Sequence, residues 1–573
     1  MAEDLVIRGG TIVDGTGADG YRADVGVRDG RITEIGRVPT AGRRVVDASG
    51  CVVTPGFVDV HTHYDGQSTW SDHLDPSSRH GVTTAVLGNC GVGFAPCRAE
   101  DHALLVNAME GVEDIPEVVM TTGLPWDWET FPEYLDALDQ RARDIDVAVL
   151  LPHSPLRVYA MGQRGADREP ATDADLDRLC WLAEEGLEAG AIGFATSRTA
   201  VHRRGDGEHI PSFRSADREL LAIARAMGGN GIVQMVTSVS DGGGLDEVRH
   251  EVHLMRDVSR AAGVTVTFSI SQQNAAPHMI DTVLSWTDAA NEEAGVDLRP
   301  QFAPRPIGVH MGFALSANPF SASETYQSLA DLPLPERLVE LRKPEVRERI
   351  VTEPPSSRVL PLVSAARQFE RTYVMTDPPT YEPPPDLNIA TIARQKRTRP
   401  EEVAYDALLA DDGQAMLYVA FSNYAHGNLD HIAGLVRRPD SIIGLGDGGA
   451  HYGMICDASY PTFVLTHWAR DRPAGRLTLA EAVRELTSTP ADAIGLRDRG
   501  RITLGGRADI NVIEHDRMSL PPARVVHDLP GRGRRLAQHA RGYRHTFVAG
   551  QEIVTADEYT GALPGRLVRG RRQ

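Results

Sequence analysis

Lysine is nearly missing from this 573-residue chain: of 59 lysines and arginines, only Lys343 and Lys396 are lysines. That bias reads as genome composition rather than function. Cysteine is sparse too. Five residues, Cys51, Cys90, Cys97, Cys180 and Cys456, do not make a disulfide framework in so long a chain. No apolar run approaches the ~18–20 residues that cross a bilayer. The opening Met-Ala-Glu-Asp has neither the basic nor the apolar region of a secretory signal. Positive charge is in deficit, with 79 acidic residues giving a net charge of −20. That balance argues against nucleic acid and anionic membrane as main partners. No internal repeat is visible. These absences predict a soluble cytoplasmic protein, and base rates favour a homo-oligomer.

What is present alternates by region. Residues 4–53 are short β-like runs separated by glycine-containing turns, with Asp29-Gly30 a strong hairpin signal. The same texture returns over 501–554, so both chain ends (1–54 and 501–573) are expected to form one small β-domain. Between them, 55–500 alternates strand and helix. Candidate strands are Val52–Val60, Thr83–Leu87, Val147–Leu151, Ala191–Ala195, Gly231–Val236, Val264–Ile270, Leu298–Ala303 and Ser441–Leu445, with helices such as Asp173–Ala189 and Asp217–Met227 between them. The fold class is therefore α/β, a (β/α)8 TIM-like barrel whose active site lies at the strands' C-terminal ends. Residues 304–400 are too long for a barrel connection. They carry many prolines and a helical stretch at Leu334–Ile350, and read as an inserted subdomain or lid. The basic tail Arg566–Gln573 reads as a frayed end.

The chemistry starts at Pro55-Gly-Phe-Val-Asp-Val-His61-Thr-His63. Side chains at i and i+2 of an extended segment leave one face, so His61 and His63 aim at one point beyond a buried strand. Imidazole is the commonest metal-binding side chain. A second strand, Ser441–Gly446, ends in Asp447-Gly-Gly-Ala-His451.

These segments, with the opening Asp4–Gly17, the continuation Asp24–Gly36, Gly88-Asn-Cys90-Gly91 and the closing Gly500–Ile513, resemble the amidohydrolase superfamily over nearly the whole chain. Within it they resemble the N-acyl-D-amino-acid deacylase (D-aminoacylase-like) branch. The resemblance implies that Cys90 binds metal beside His61 and His63. A thiolate prefers zinc among common ions, although a free cysteine is ordinarily a small buried hydrophobe. It also implies that Asp447 is the catalytic base and a metal ligand, taking a proton from metal-activated water and passing it to the leaving nitrogen. The aspartate can equally cap the Gly448-Gly449 turn.

The chain departs from that pattern at strands five and six, where the family places histidines. Ile232–Thr237 and Thr267–Gln272 contain none, and no lysine sits on the strand-four candidate. Gln234 and Gln272 occupy these regions as weak oxygen ligands or substrate contacts. The remainder, His61, His63, Cys90 and Asp447, suits one Zn²⁺ better than two. His153, His202 and His451 follow strand ends and are candidate substrate contacts. Arg157 and Arg198 are candidates for gripping a substrate carboxylate, with an internal ion pair the commoner role for each. The expected activity is metal-dependent hydrolysis of a C–N bond in a small-molecule amide, such as an N-acyl-D-amino acid. Cyclic-amide opening, a lyase or decarboxylase step on the same scaffold, or a non-catalytic ligand-binding homologue are the rivals.

Overall fold

The computed structural model describes residues 3–39, 42–355 and 367–570. Eight parallel strands form its centre: β1 (Phe57–Asp59), β2 (Val82–Leu87), β3 (Asp146–Pro152), β4 (Gly193–Ser197), β5 (Ile232–Val236), β6 (Val266–Ser269), β7 (Leu298–Phe302) and β8 (Ile442–Ile443). They lie side by side in chain order. The sheet curls until its outer strands meet at a bridge between Thr62 and Gly448, just past the ends of β1 and β8. Nearly every strand residue is buried, as expected for a parallel sheet covered on both faces.

Local signals set the helices. Asp173–Ala189 begins at a capping box between Thr172 and Asp175 and ends at Gly190, which takes φ +117°. The expected helical stretch Leu334–Ile350 is instead two helices, Leu334–Leu341 and Pro344–Thr352. Pro344 cannot continue the first helix but suits the first turn of the second.

The expected strand Val52–Val60 also divides. Val52–Pro55 pairs with Leu5–Ile12 and Ile510–Ile513, whereas β1 pairs with β2. Gly56 is the crossing point, where a Cβ would stand 2.2 Å from Oγ1 of Thr83. One extended run thus serves two sheets. The outer sheet has nine strands from both chain ends: five between Leu5 and Pro55 and four between Ile510 and Tyr559. Its Asp29-Gly30 turn has φ of +50° and +70°, which suits an Asp-Gly hairpin. The β texture around Val525 does not join this sheet. Among the described residues, Arg524–Leu529 pairs with Gly533–Ala537 alone.

After β7 the chain leaves the barrel. Ile307–Met311, Thr372–Val374 and Leu417–Ser422 make an antiparallel sheet. Met311, Phe313, Leu341, Tyr405 and Leu417 form a core of their own with neighbouring helices. The third strand lies beyond residue 400, so the excursion is longer than expected. Residues 356–366 of the expected insertion lie outside the described residues. The tail is not frayed over its described part. Arg566 N–H donates to Asp146, Val568 N–H to Val147 O, and Arg569 pairs with Asp136. The rest of the expected frayed end, residues 571–573, lies outside the described residues. No helix among the described residues is long and apolar enough to cross a membrane.

Candidate metal centre

The ends of β1 and β2 bring three donors together, and Asp447, beyond β8, faces two of them. Sγ of Cys90 stands 3.3 Å from Nε2 of His61 and 3.8 Å from Nε2 of His63. Oδ1 of Asp447 stands 3.5 Å from Nε2 of His61 and 3.6 Å from Nε2 of His63. Ligands about 2.0–2.3 Å from one tetrahedral ion stand about 3.3–3.8 Å from one another. Among the described residues, His61, His63 and Cys90 form a compact group of three donors that would hold one zinc-like ion, and Asp447 faces the two histidine nitrogens without belonging to that group.

The local sequence builds each donor. Nδ1 of His61 donates to Oε1 of Gln301 on β7 at 2.9 Å, which turns Nε2 toward the cluster. His63 N–H donates to Gly448 O at 2.7 Å, tying the β1 end to the β8 end. Cys90 holds a left-handed φ of +57° between two such glycines, Gly88 and Gly91. A Cβ at Gly88 would stand 2.1 Å from Leu150 O, so only glycine fits there. Cys90 N–H donates to Oε1 of Gln234 at 2.9 Å.

The electrostatics suit a cation. Burial pushes the Cys90 thiol up to about 12 and His61 down to about 4. Burial also lowers His63, but the charges of Glu113 and Cys90 outweigh it and hold His63 well above its usual range. Burial raises Asp447, yet the His63 hydrogen bond and the two histidine charges hold it below the usual carboxylate range. Burial lifts Asp59 and Glu113 to about 7 and Asp65 to about 6. A divalent ion would relieve this crowding of buried acids and displace the thiol and imidazolium protons.

Sequence reasoning missed Glu113. It ends the helix His102–Glu113 and is 2 % exposed. Its Oε2 stands 3.4 Å from Nε2 of His63 and 3.5 Å from Nε2 of His451. Its Oε1 is buried with no hydrogen-bond partner. No motif marks it, since only the length of that helix carries it back over the cluster. Gln301 and Asp59 were missed as well. Their signal was a polar residue inside an otherwise buried strand.

The other candidates divide. His451 meets Glu113 at the cluster's edge, its backbone N–H donating to Glu113 O. His202 is held by Ser197 at 2.8 Å and feels His63, His451 and Asp447. Gln234 supports the Cys90 backbone. Four candidate substrate contacts have internal partners. Gln272 turns its Oε1 to Ala425 N–H instead of the cluster. His153 spends Nδ1 on Thr196 and Nε2 on Glu219, both at 2.8 Å. Arg157 grips both oxygens of the same buried Glu219. Arg198 holds both oxygens of Glu251. His153, Arg157 and Arg198 are each held by a buried glutamate, and for the two arginines this is the internal ion pair weighed as the commoner role.

Comparison with known proteins agrees with this architecture. The amidohydrolase family profile matches residues 44–554. N-acyl-D-glutamate deacylase of Alcaligenes xylosoxydans xylosoxydans is 27% identical over 570 residues, covering 99% of this chain and 96% of that one. A solved structure of D-aminoacylase superposes with a TM-score of 0.64 at 22% identity, covering 99% of this chain and 100% of the other. The N-acyl-D-glutamate deacylase of Bordetella bronchiseptica, solved with zinc and a phosphonate inhibitor, superposes at 0.63 and 24% identity, with the same two coverages.

Proposed function

The chain belongs to the amidohydrolase family, a hydrolase acting on non-peptide C–N bonds, and on that premise we propose that it is a one-metal deacylase of N-acyl-D-amino acids. The observation that carries this reading is the close grouping of the His61, His63 and Cys90 donors, which suits one zinc ion, with the Asp447 carboxylate facing both histidines. The relative named N-acyl-D-glutamate deacylase supports the substrate class.

When bound, the ion supplies an activated water and polarises the substrate carbonyl. The chain's own residues do the rest. Asp447 receives the water's proton at its carboxylate and returns it to the leaving nitrogen. Gln301 fixes the His61 ring, and Gln234 fixes the loop that presents Cys90. Glu113 balances the charge of His63 and orients His451. The excursion after β7 is read as a lid over this face. Its strand Ile307–Met311 reaches the loop beyond Asp447, where His310 N–H donates to Met454 O at 2.6 Å. The missing strand-five and strand-six histidines favour one ion over two.

The test is hydrolysis of N-acetyl-D- and N-acetyl-L-amino acids, following free amine and chirality of product, beside Asp447→Asn. Release of the D-amino acid that falls at least a thousandfold in Asp447→Asn supports the reading. Unchanged turnover in that variant, or products of ring opening or decarboxylation, contradicts it.

A further inference from the structure

His202 stands five residues beyond the end of β4. His153 spends both ring nitrogens on internal partners, and His451 faces Glu113. His202 differs. Among the described residues only its Nδ1 is engaged, by Oγ of Ser197 at 2.8 Å, and the ring is part-exposed instead of sealed in the core. Its place follows from the strands. β4 pairs with β5 so that Ala195 lies opposite Gln234 and Ser197 opposite Val236. Side chains at i and i+2 of a strand leave one face. Ser197 therefore projects from the sheet face on which Gln234 reaches Cys90 N–H. The β4 end also packs on the Cys90 turn. A Cβ at Gly91 would stand 2.7 Å from Cα of Thr196 and 3.1 Å from N of Ser197. The ring is thus anchored against the residue next to a metal donor. The charges that act on it are those of His63, His451, Asp447 and His61, all members or neighbours of the cluster.

Burial first, and then the three histidine charges, push His202 down to about 3 against the pull of Asp447, so the ring is neutral. With the Ser197 hydroxyl donating to Nδ1, its one proton sits on Nε2. A neutral N–H donor beside the cluster stabilises negative charge developing on a nearby oxygen and keeps its own proton while doing so. It stands at the end of strand four, beside the strands that carry no histidine.

Resting on the deacylase reading, we propose that His202 is a catalytic residue whose Nε2–H donates a hydrogen bond to the carbonyl oxygen of the amide as that oxygen becomes negative. The proton stays on the imidazole, and Asp447 remains the group that moves protons. Ser197 is the positioning residue that fixes the ring. The test uses the full chain as purified, beside His202→Leu and His202→Gln. For N-acetyl-D-amino acids, kcat is expected to fall roughly 100–1,000-fold in His202→Leu with KM little changed, the loss typical of one oxyanion donor. His202→Gln, which returns an N–H near the place of Nε2, should recover part of that loss. Zinc content and melting temperature should match the wild type in both variants. A second arm needs no turnover. Methylphosphonate, an anionic tetrahedral mimic of an attacked acetyl group, should bind His202→Leu at least roughly tenfold more weakly by calorimetry, the size of one lost charge-assisted hydrogen bond. Unchanged kcat, a raised KM at unchanged kcat, loss of zinc, or equal methylphosphonate affinity in wild type and His202→Leu overturns the proposal. A chain that hydrolyses no N-acyl amino acid yet loses methylphosphonate affinity in His202→Leu defeats the deacylase reading alone. Full-rate hydrolysis by His202→Leu defeats the donor alone.

Discussion

Glu113 places Oε2 3.4 Å from Nε2 of His63, the same nitrogen that faces Asp447 Oδ1 at 3.6 Å. One imidazole thus meets two carboxylates, one from the helix after β2 and one from the loop after β8. Removing either changes the charge that a bound cation meets. Glu113→Gln keeps the shape and removes the charge. Metal affinity, measured by competition with a chelator, is expected to fall about 10–100-fold, as for other groups that support metal ligands. Unchanged affinity would make Glu113 a bystander.

Cys90 gives a spectroscopic prediction. In protein loaded with Co²⁺, a thiolate ligand produces a near-ultraviolet sulfur-to-metal charge-transfer band. That band should be present in the wild type and absent in Cys90→Ser. A band of equal strength in both proteins would remove Cys90 from the metal shell.

Arg157 separates its ion-pair role from its candidate role as a substrate contact. Its guanidinium lies 2 % exposed against an equally buried Glu219. Breaking a buried pair by removing one partner costs about 3–5 kcal/mol. Arg157→Ala should therefore lower the melting temperature sharply while leaving KM of the folded fraction unchanged. A stable variant with a raised KM would restore the substrate role.

His80 sets an acid limit on stability. Its Nδ1 meets Thr462 and its Nε2 meets Gln538 O, both at 2.7 Å, and burial pushes its pKa down to about 3. The unfolded chain titrates this imidazole near ~6.5. Above that pH both states are neutral and the group has no pH effect. As pH falls from about 6.5 toward 3, the unfolded state takes up a proton that the folded state refuses. Stability then drops by up to about 1.4 kcal/mol per pH unit. Thermal melts of metal-free protein from pH 7.5 to 4.5 should show this limb, and His80→Gln should flatten it. Parallel melting curves for the two proteins would contradict the assignment.

Much of this architecture was legible before any coordinates. Val147–Leu151 and Gly231–Val236 are short, strongly apolar and bounded by turn residues or helix caps, which leaves little alternative to buried parallel strands. Asp173–Ala189 announces both ends, through Thr172 and Gly190. The HxH spacing after β1 and the aspartate after β8 pointed at one place because strand ends in a barrel converge. What escaped depends on distance travelled. Nothing in Val52–Val60 says that a single glycine hands the chain from one sheet to another. Nothing in Gly111-Val-Glu113 says that a helix of that length returns its last residue to the metal site. Gln234 and Gln272 look equivalent in sequence. Only the loop at Asn423–Ala425, which engages Gln272, separates their roles. Arg157 and Arg198 looked like anion binders because their partners, Glu219 and Glu251, sit on helices more than fifty residues away.

The central claim is that His61, His63 and Cys90, with Asp447 facing the two histidines, hold one ion. Elemental analysis of protein purified without added metal, run beside His61→Ala/His63→Ala, tests it most directly. The account predicts about one zinc per chain in the wild type and close to none in the double variant, with the melting temperature of the metal-free forms matched. Two ions per chain, or metal retained in full by the double variant, would contradict it.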